Sequence, residues 1–404
     1  MPNLALLATL ALAFGGEPRP PDRIELKDGG AVEGYVLLER KDEVLVLVKS
    51  RERTIPADEI ASVRSAARTL AEILDRLDAL GPDDAAGRLE LEATCRDRDL
   101  PGEAEVLALG ALCVDPGHEA AHAFLGHAKR KAGWTVRRGA KSVPFDKLLA
   151  ARADLRDPWK LGTTHYALLT NLALRDAVAM ALDLERFYRA FYRRLGEEVE
   201  LREVFTPLGV GVYGDHRTFP EGLARRPAYF DPASGQVLVN AAAVDPRRAL
   251  VHEATHQILH ATAVATRRGL GEIPGWLDEG LAEYMAWSLA GGPGRVTFDL
   301  GAFADHHFEA HREAKKPYDL GRVLQFASGD FHGSSKTDLK YAEAYTLVHF
   351  LLHGEEGGYR EEFFAFLRGA YEGRASSTDF KKAFEASEKE LEEAWNRHVR
   401  RPVR

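Results

Sequence analysis

The stretch LVHEATHQILH, Leu250 to His260, constrains the fold more tightly than any other part of the chain. Asp245-Pro246 just ahead of it reads as a helix start. Asp supplies a cap for the free amides, and Pro fits the first helical position, where no intrahelical N–H bond is lost. On a helix begun there, His252 and His256 lie one turn apart on one face, so both imidazoles can grip a single metal ion. Glu253 is adjacent and projects toward the open side of such an ion, where a water would sit. Zinc suits the pattern because it accepts a tetrahedral set of borderline ligands and has no redox chemistry. In a chain with 15 histidines the spacing also arises by chance, so a third ligand has to decide.

His260 is nearest in sequence, but it lies two turns beyond His252, about 12 Å along the axis. Gln257-Ile258-Leu259 offers no helix break to bring it back, so His260 reads as packing. The better source is IPGWLDEGLAEYMAWSL, where a second helix rich in carboxylates starts after Pro274.

VHEATHQ followed by PGWLDEGLAEY resembles the gluzincin zinc metallopeptidases, and most closely the peptidase-MA-like domains of poorly characterised bacterial proteins. WLDEGLAEY is also similar to the WLNEGFA stretch of zinc aminopeptidases. The resemblance runs from roughly Trp159 to the C-terminus, and only the two motif blocks are specific. It implies a mainly α zincin-like domain with a small N-terminal sheet, and one Zn2+ per chain held by His252, His256 and Glu279. Glu283, one turn past Glu279, matches the carboxylate that buttresses the first zinc histidine, fixing its tautomer and raising its basicity.

The implied activity is hydrolysis of peptide bonds in a peptide or protein substrate, with Glu253 as general base. The GxMEN exopeptidase motif is missing, so aminopeptidase activity does not carry over. The family's oxyanion-donating tyrosine lies in a YxKGxxxxxxL stretch, and YAEAYTLVHFLL matches it from Tyr341. Ala344 takes the glycine position, Glu343 replaces the lysine, and Tyr345 is the alternative donor one turn on. The substrate is expected to lie extended against an edge strand, for which GQVLVN ahead of the histidine helix is the choice. The other class of reading is a zincin-fold scaffold or envelope-binding protein that no longer cuts; the intact Glu253 counts against it.

At 404 residues the chain needs more than one domain, and the pattern is multi-domain α+β. Residues 20–65 alternate at Ile24 and Leu26, then at Val32, Val36 and Leu38, with a hairpin turn at Asp28-Gly29-Gly30 and a buried strand at Val44 to Val48. They resemble a small SH3-like or Sm-like β barrel. Residues 66–150 take a helical period, and ALCVDPGHEAAHAFLG resembles one tetratricopeptide-type helix pair with Pro116 between its helices. Both modules offer surface to a protein partner. Residues 155–404 form the expected peptidase domain, with an extended segment around DPWKLGTTHYALLTN, a helix over roughly Leu172 to Leu195, and strands at LGVGVYGD and AYFDPASGQVLVNAA.

Residues 1–16 read as a signal peptide, with an apolar run from Leu4 to Phe14 too short to cross a bilayer and an A-x-A site at Ala11 to Ala13. That implies an extracytoplasmic location. No basic residue precedes the run, and an apolar helix packed on the body is the other reading. The net charge of −8 and the lack of a basic run argue against nucleic acid, and no other segment is a transmembrane candidate. Cys95 and Cys113 are too few for a disulfide framework and read as buried thiols, although the two could pair. His118 with His122, and His307 with His311, also stand four apart, but without a third ligand each pair reads as a solvated helix face; lining of the substrate cleft is the other reading for His307 and His311.

Overall fold

A computed structural model describes residues 18–215, 219, 226–243, 245–265, 273–332 and 336–400. The apolar run from Leu4 to Phe14 and its cleavage site lie outside them. The chain is mixed α/β and divides into two compact units. The first holds the chain to Arg189 with Glu203–Pro246 and Gly291–Val296; the second holds Ala190–Arg202, Arg247–Ala290 and Thr297–Arg404. Among the described residues no helix is long and apolar enough to cross a membrane.

In the first unit the alternating stretch becomes β1 (Asp22–Leu26), β2 (Ala31–Glu39), β3 (Glu43–Val48), β4 (Arg51–Pro56) and β5 (Ile60–Arg64). Gly29, at φ 88°, makes the turn between β1 and β2, and Asp28 Oδ1 accepts from Gly30 N at 2.8 Å. Ile24, Val32, Val36, Val44, Val46 and Ile55 form the core of one face. β3 buries Val44 and Val46 alternately, so it is half-buried where continuous burial is expected from its sequence.

The strand order is β4-β3-β2-β1-β5 and the sheet is open. The expected barrel closure is therefore corrected. Arg51 to Thr54 of β4 are exposed, and a charged edge resists further strand pairing. Asp22, on β1, is buried and pairs with Arg19 at 2.6 and 2.9 Å. The same carboxylate accepts from Val36 N and Ala66 N, each at 2.8 Å.

Helices α1 (Ala66–Ala79), α2 (Ala85–Asp97), α3 (Pro101–Val114) and α4 (Glu119–Phe124) follow. The helical reading fails beyond them: β6 (Ala128–Arg130), β7 (Gly133–Arg138) and β8 (Lys141–Pro144) make a three-stranded antiparallel sheet before α5 (Phe145–Ala151). Short, polar strands carry too few apolar positions for a period to show. His122 is not on a solvated face. It is buried, stacked on Trp134 at 4.2 Å between ring centroids, with Nε2 at 2.9 Å from Pro116 O. Cys95 and Cys113 are free thiols, and burial pushes them up to about 12 and about 11.

A second sheet holds β9 (Trp159–Gly162), β10 (Tyr166–Thr170), β11 (Leu208–Tyr213), β12 (Ala228–Asp231) and β13 (Gln236–Asn240), with α6 (Leu174–Phe191) between β10 and β11 in sequence. Its order is β12-β13-β11-β10-β9. β13 is therefore flanked by β11 in parallel and β12 in antiparallel register, so the stretch GQVLVN is not the edge strand expected for substrate. Its alternate residues face no open ladder; β12 takes the outer position.

The second unit is helical: α7 (Pro246–Ala265), α8 (Gly275–Trp287), α9 (Asp305–Arg312), α10 (Thr337–His353), α11 (Arg360–Tyr371) and α12 (Glu388–Arg400). Trp276, Leu281, Phe308, Tyr345, Phe350 and Trp395 are among its fully buried side chains.

Removing one partner of a buried, hydrogen-bonded ion pair leaves a charge with no water to solvate it, at a cost of about 3–5 kcal/mol. Asp22→Ala should lower the stability of the first unit by that amount in denaturant unfolding, and Arg19→Met on the same background should recover part of it. A single variant as stable as the wild type would show that Asp22 does not tie β1 to β2 and α1.

Candidate metal centre

α7 buries Leu250, Val251, Ala254, Ile258 and Leu259 on its apolar side. His252 and His256 occupy the face left over. Asp245 precedes the helix at φ 49°, not in the extended backbone of an ordinary N-cap. α8 starts after Pro274, at φ −53°. Gly280 brings it against α10, since a Cβ there would lie 2.7 Å from Ala344 O and 2.8 Å from Val348 Cγ2. The glycine in WLDEGLAEY thus has a packing reason: only a residue without a side chain lets the two backbones meet.

Three ligand atoms converge between α7 and α8. His252 Nε2 is 3.2 Å from His256 Nε2, and Glu279 Oε2 is 3.3 and 3.6 Å from them. A tetrahedral ion with bonds of about 2.0–2.1 Å holds its ligand atoms about 3.4 Å apart, so the triangle has the dimensions of one face of a zinc site. Among the described residues this is the one His/Cys/Asp/Glu group of three or more with metal-ligand spacing, and His260 is not in it. Glu279 Oε2 is buried and makes no hydrogen bond of good geometry. Such an orphaned oxygen is costly unless a cation completes it. The His252, His256 and Glu279 side chains keep 15%, 11% and 5% of their exposure, so the site is largely dry yet reachable.

Each histidine has a carboxylate behind it. His252 Nδ1 lies 2.9 Å from Glu283 Oε1, and His256 Nδ1 lies 2.9 Å from Asp278 Oδ1. Carboxylates there leave each Nε2 free to face the ion. Burial alone would lower the His252 pKa, but the facing carboxylates of Glu279 and Glu283 outweigh it and raise it to about 10. His256 is likewise raised well above its ordinary value, against burial, by Asp278 and Glu279. Burial would raise Glu279 and Glu283, yet the facing imidazoles hold both below the usual carboxylate range.

Tyr341 lies beside this group, half-buried, with its ring centroid 6.2 Å from that of His252. Tyr345 is fully buried, donates to Ala302 O and accepts from Ala304 N, both at 3.0 Å, which leaves it no role at an open site. Glu343 is also buried and accepts from Tyr318 N at 2.8 Å; burial outweighs that bond and pushes its carboxyl up to about 8. Glu253 follows His252 on α7, half-buried.

The solvated face expected for α9 is corrected. His307 and His311 are both buried, His311 against Trp395 and Thr346 Oγ1, and His307 with Nε2 at 2.7 Å from Glu283 Oε2. Sequence reading missed Asp278 and His307. Asp278 had a signal, because each metal-bound imidazole needs an acceptor for its second nitrogen and Asp278 stands beside Glu279. His307 was visible only as one of a pair four apart with His311, and nothing in that spacing pointed to Glu283 on a separate helix.

Residues 248–374 match the family described as "Protein of unknown function (DUF1570)", a stretch that contains every residue of this site from His252 to Tyr341. No curated protein matches the chain.

A zinc ligand must be a neutral imidazole, and the facing carboxylates raise both histidines above their ordinary value. Zinc titration should therefore release protons, with affinity falling as pH falls. Calorimetry in buffers of different ionisation enthalpy reads this directly. His252→Ala and His256→Ala should abolish stoichiometric zinc, and Glu279→Ala should weaken it strongly. Zinc content unchanged in Glu279→Ala would move the third ligand elsewhere.

Proposed function

We propose that the chain is a zinc-dependent peptidase of the gluzincin type, acting on a peptide or protein substrate. The observation that carries this reading is the ligand triangle of His252, His256 and Glu279, sized for a tetrahedral ion, with a carboxylate next to the first histidine on the same helix. Three protein ligands leave a fourth position open, which is the pattern of catalytic rather than structural zinc. When bound, zinc supplies Lewis-acid chemistry: it lowers the pKa of a water toward neutrality and polarises the scissile carbonyl.

The chain's own groups do the rest. Glu253 takes the proton of the attacking water at its carboxylate as the new C–O bond forms, and hands it to the nitrogen as the C–N bond breaks. The Tyr341 hydroxyl donates to the oxyanion that develops at the carbonyl oxygen. Glu283 and Asp278 keep the two imidazoles turned toward the ion.

Glu253→Gln keeps shape and removes the base. The variant should fold and hold zinc, because Glu253 is not in the ligand group, and its turnover should fall at least about 10²-fold. Tyr341→Phe should lose on the order of 10²-fold with zinc retained. The assay is digestion of a peptide library, restricted to cuts that a zinc chelator stops. Wild-type cleavage by Glu253→Gln would end the catalytic reading, and a zinc-loaded wild type that cuts nothing would favour a non-cutting scaffold.

A further inference from the structure

We infer that His307 is a positioning residue for the metal centre, acting through Glu283 on His252; the inference rests on the metal-site reading above. Glu283 has two oxygens with separate duties. Oε1 faces His252 Nδ1 at 2.9 Å, while Oε2 accepts from His307 Nε2 at 2.7 Å and from Trp287 Nε1 at 2.8 Å. A carboxylate on a flexible three-bond stem holds an imbalanced load poorly: with Oε2 unheld, it can turn about its terminal bond and carry Oε1 away from the imidazole. Trp287 is one turn along the same helix as Glu283, so its bond moves with α8. His307 comes from α9 and ties Oε2 to a helix other than α8, as His252 of α7 does for Oε1.

The His307 ring is itself fixed. It is buried and stacks on Tyr345 at 4.8 Å between centroids with 29° between planes. Tyr345 belongs to α10, the helix that also carries Tyr341, and its hydroxyl bonds to Ala302 and Ala304 at the entry to α9. A chain of contacts thus runs from Tyr345, by ring stacking to His307 and then by polar contacts through Glu283, to His252. It orients the first histidine from the body of the unit, and a buried histidine whose Nε2 meets a carboxylate is otherwise a costly choice where Phe would fill the same space.

The test measures metal binding separately from hydrolysis. His307→Phe keeps the ring and loses the donor; His307→Asn keeps polarity, but its amide is too short to reach Glu283 Oε2; His307→Gln returns a donor near the Nε2 position. Zinc affinity is read by competition with a chromogenic chelator, and ligand geometry by the d–d absorption of the cobalt(II)-substituted protein. We expect His307→Phe and His307→Asn to bind zinc about 10- to 100-fold more weakly with an altered cobalt spectrum, the usual scale for losing such an outer hydrogen bond. His307→Gln should return affinity and spectrum close to wild type. A purely space-filling histidine would give the opposite order, with Phe tolerated and Gln impaired, and that result overturns the inference, as does wild-type affinity in both His307→Phe and His307→Asn. If the Phe variant does not fold, the Asn and Gln pair decides by the same comparison. A wild-type chain that binds no zinc would overturn the metal-site reading and this inference together, whereas one that binds zinc without cutting peptides would remove only the peptidase reading.

Discussion

The second unit depends on one buried exchange of charge: the imidazoles of His252 and His256 on α7 face the carboxylates of Asp278, Glu279 and Glu283 on α8. Burying any one of these groups alone costs several kcal/mol, so the two helices are stable side by side only with the groups matched. Positive charge belongs at the centre of the cluster, carried either by protons on the histidines or by a metal ion that replaces them. A single requirement therefore bears on both helix placement and the orientation of the two imidazoles.

That exchange needs α8 held firmly, and apolar packing does so. Trp276, Leu277, Leu281 and Met285 are buried along the same helix, and Gly280 lets it meet α10 at Ala344. The contact with α10 matters twice, since α10 begins near Tyr341 and buries Tyr345 one turn later. Packing and polar chemistry are thus laid on opposite faces of the same two helices. The hydrophobic side fixes the distances that the hydrogen bonds of the polar side then refine.

The first unit follows the same rule at smaller scale. Asp22 is buried with Arg19, and two backbone amides complete its oxygens. His165 is buried with Glu185, Nδ1 to Oε2 at 2.6 Å, and stacks on Tyr188. Burial would lower the His165 pKa, yet Glu185 and Glu203 raise it to about 9. In both places a charge inside the protein is tolerated because an opposite charge and hydrogen-bonding groups meet it directly.

Local spacing made much of this legible. HEATH defines a helix face with two imidazoles and an adjacent acid, whatever surrounds it, because helical geometry depends only on the residues within it. The alternation of Ile24, Val32, Val36, Val44 and Val46, and the Asp-Gly-Gly turn, likewise announce antiparallel strands through local rules. The short strands between Ala128 and Pro144 were not legible, having too few apolar residues to set a period. Nor were the open edges at β4 and β5, the interior place of β13 or the burial of His307 and His311, each of which is a relation between distant segments. The sequence by itself determined which residue types could bind a metal and on which helix faces they stand. The motif resemblance pointed to Glu279, but only tertiary structure brought its carboxylate to the two imidazoles, Asp278 to His256 and His307 to Glu283, because those contacts join α7, α8 and α9 through space and no spacing rule reaches across them.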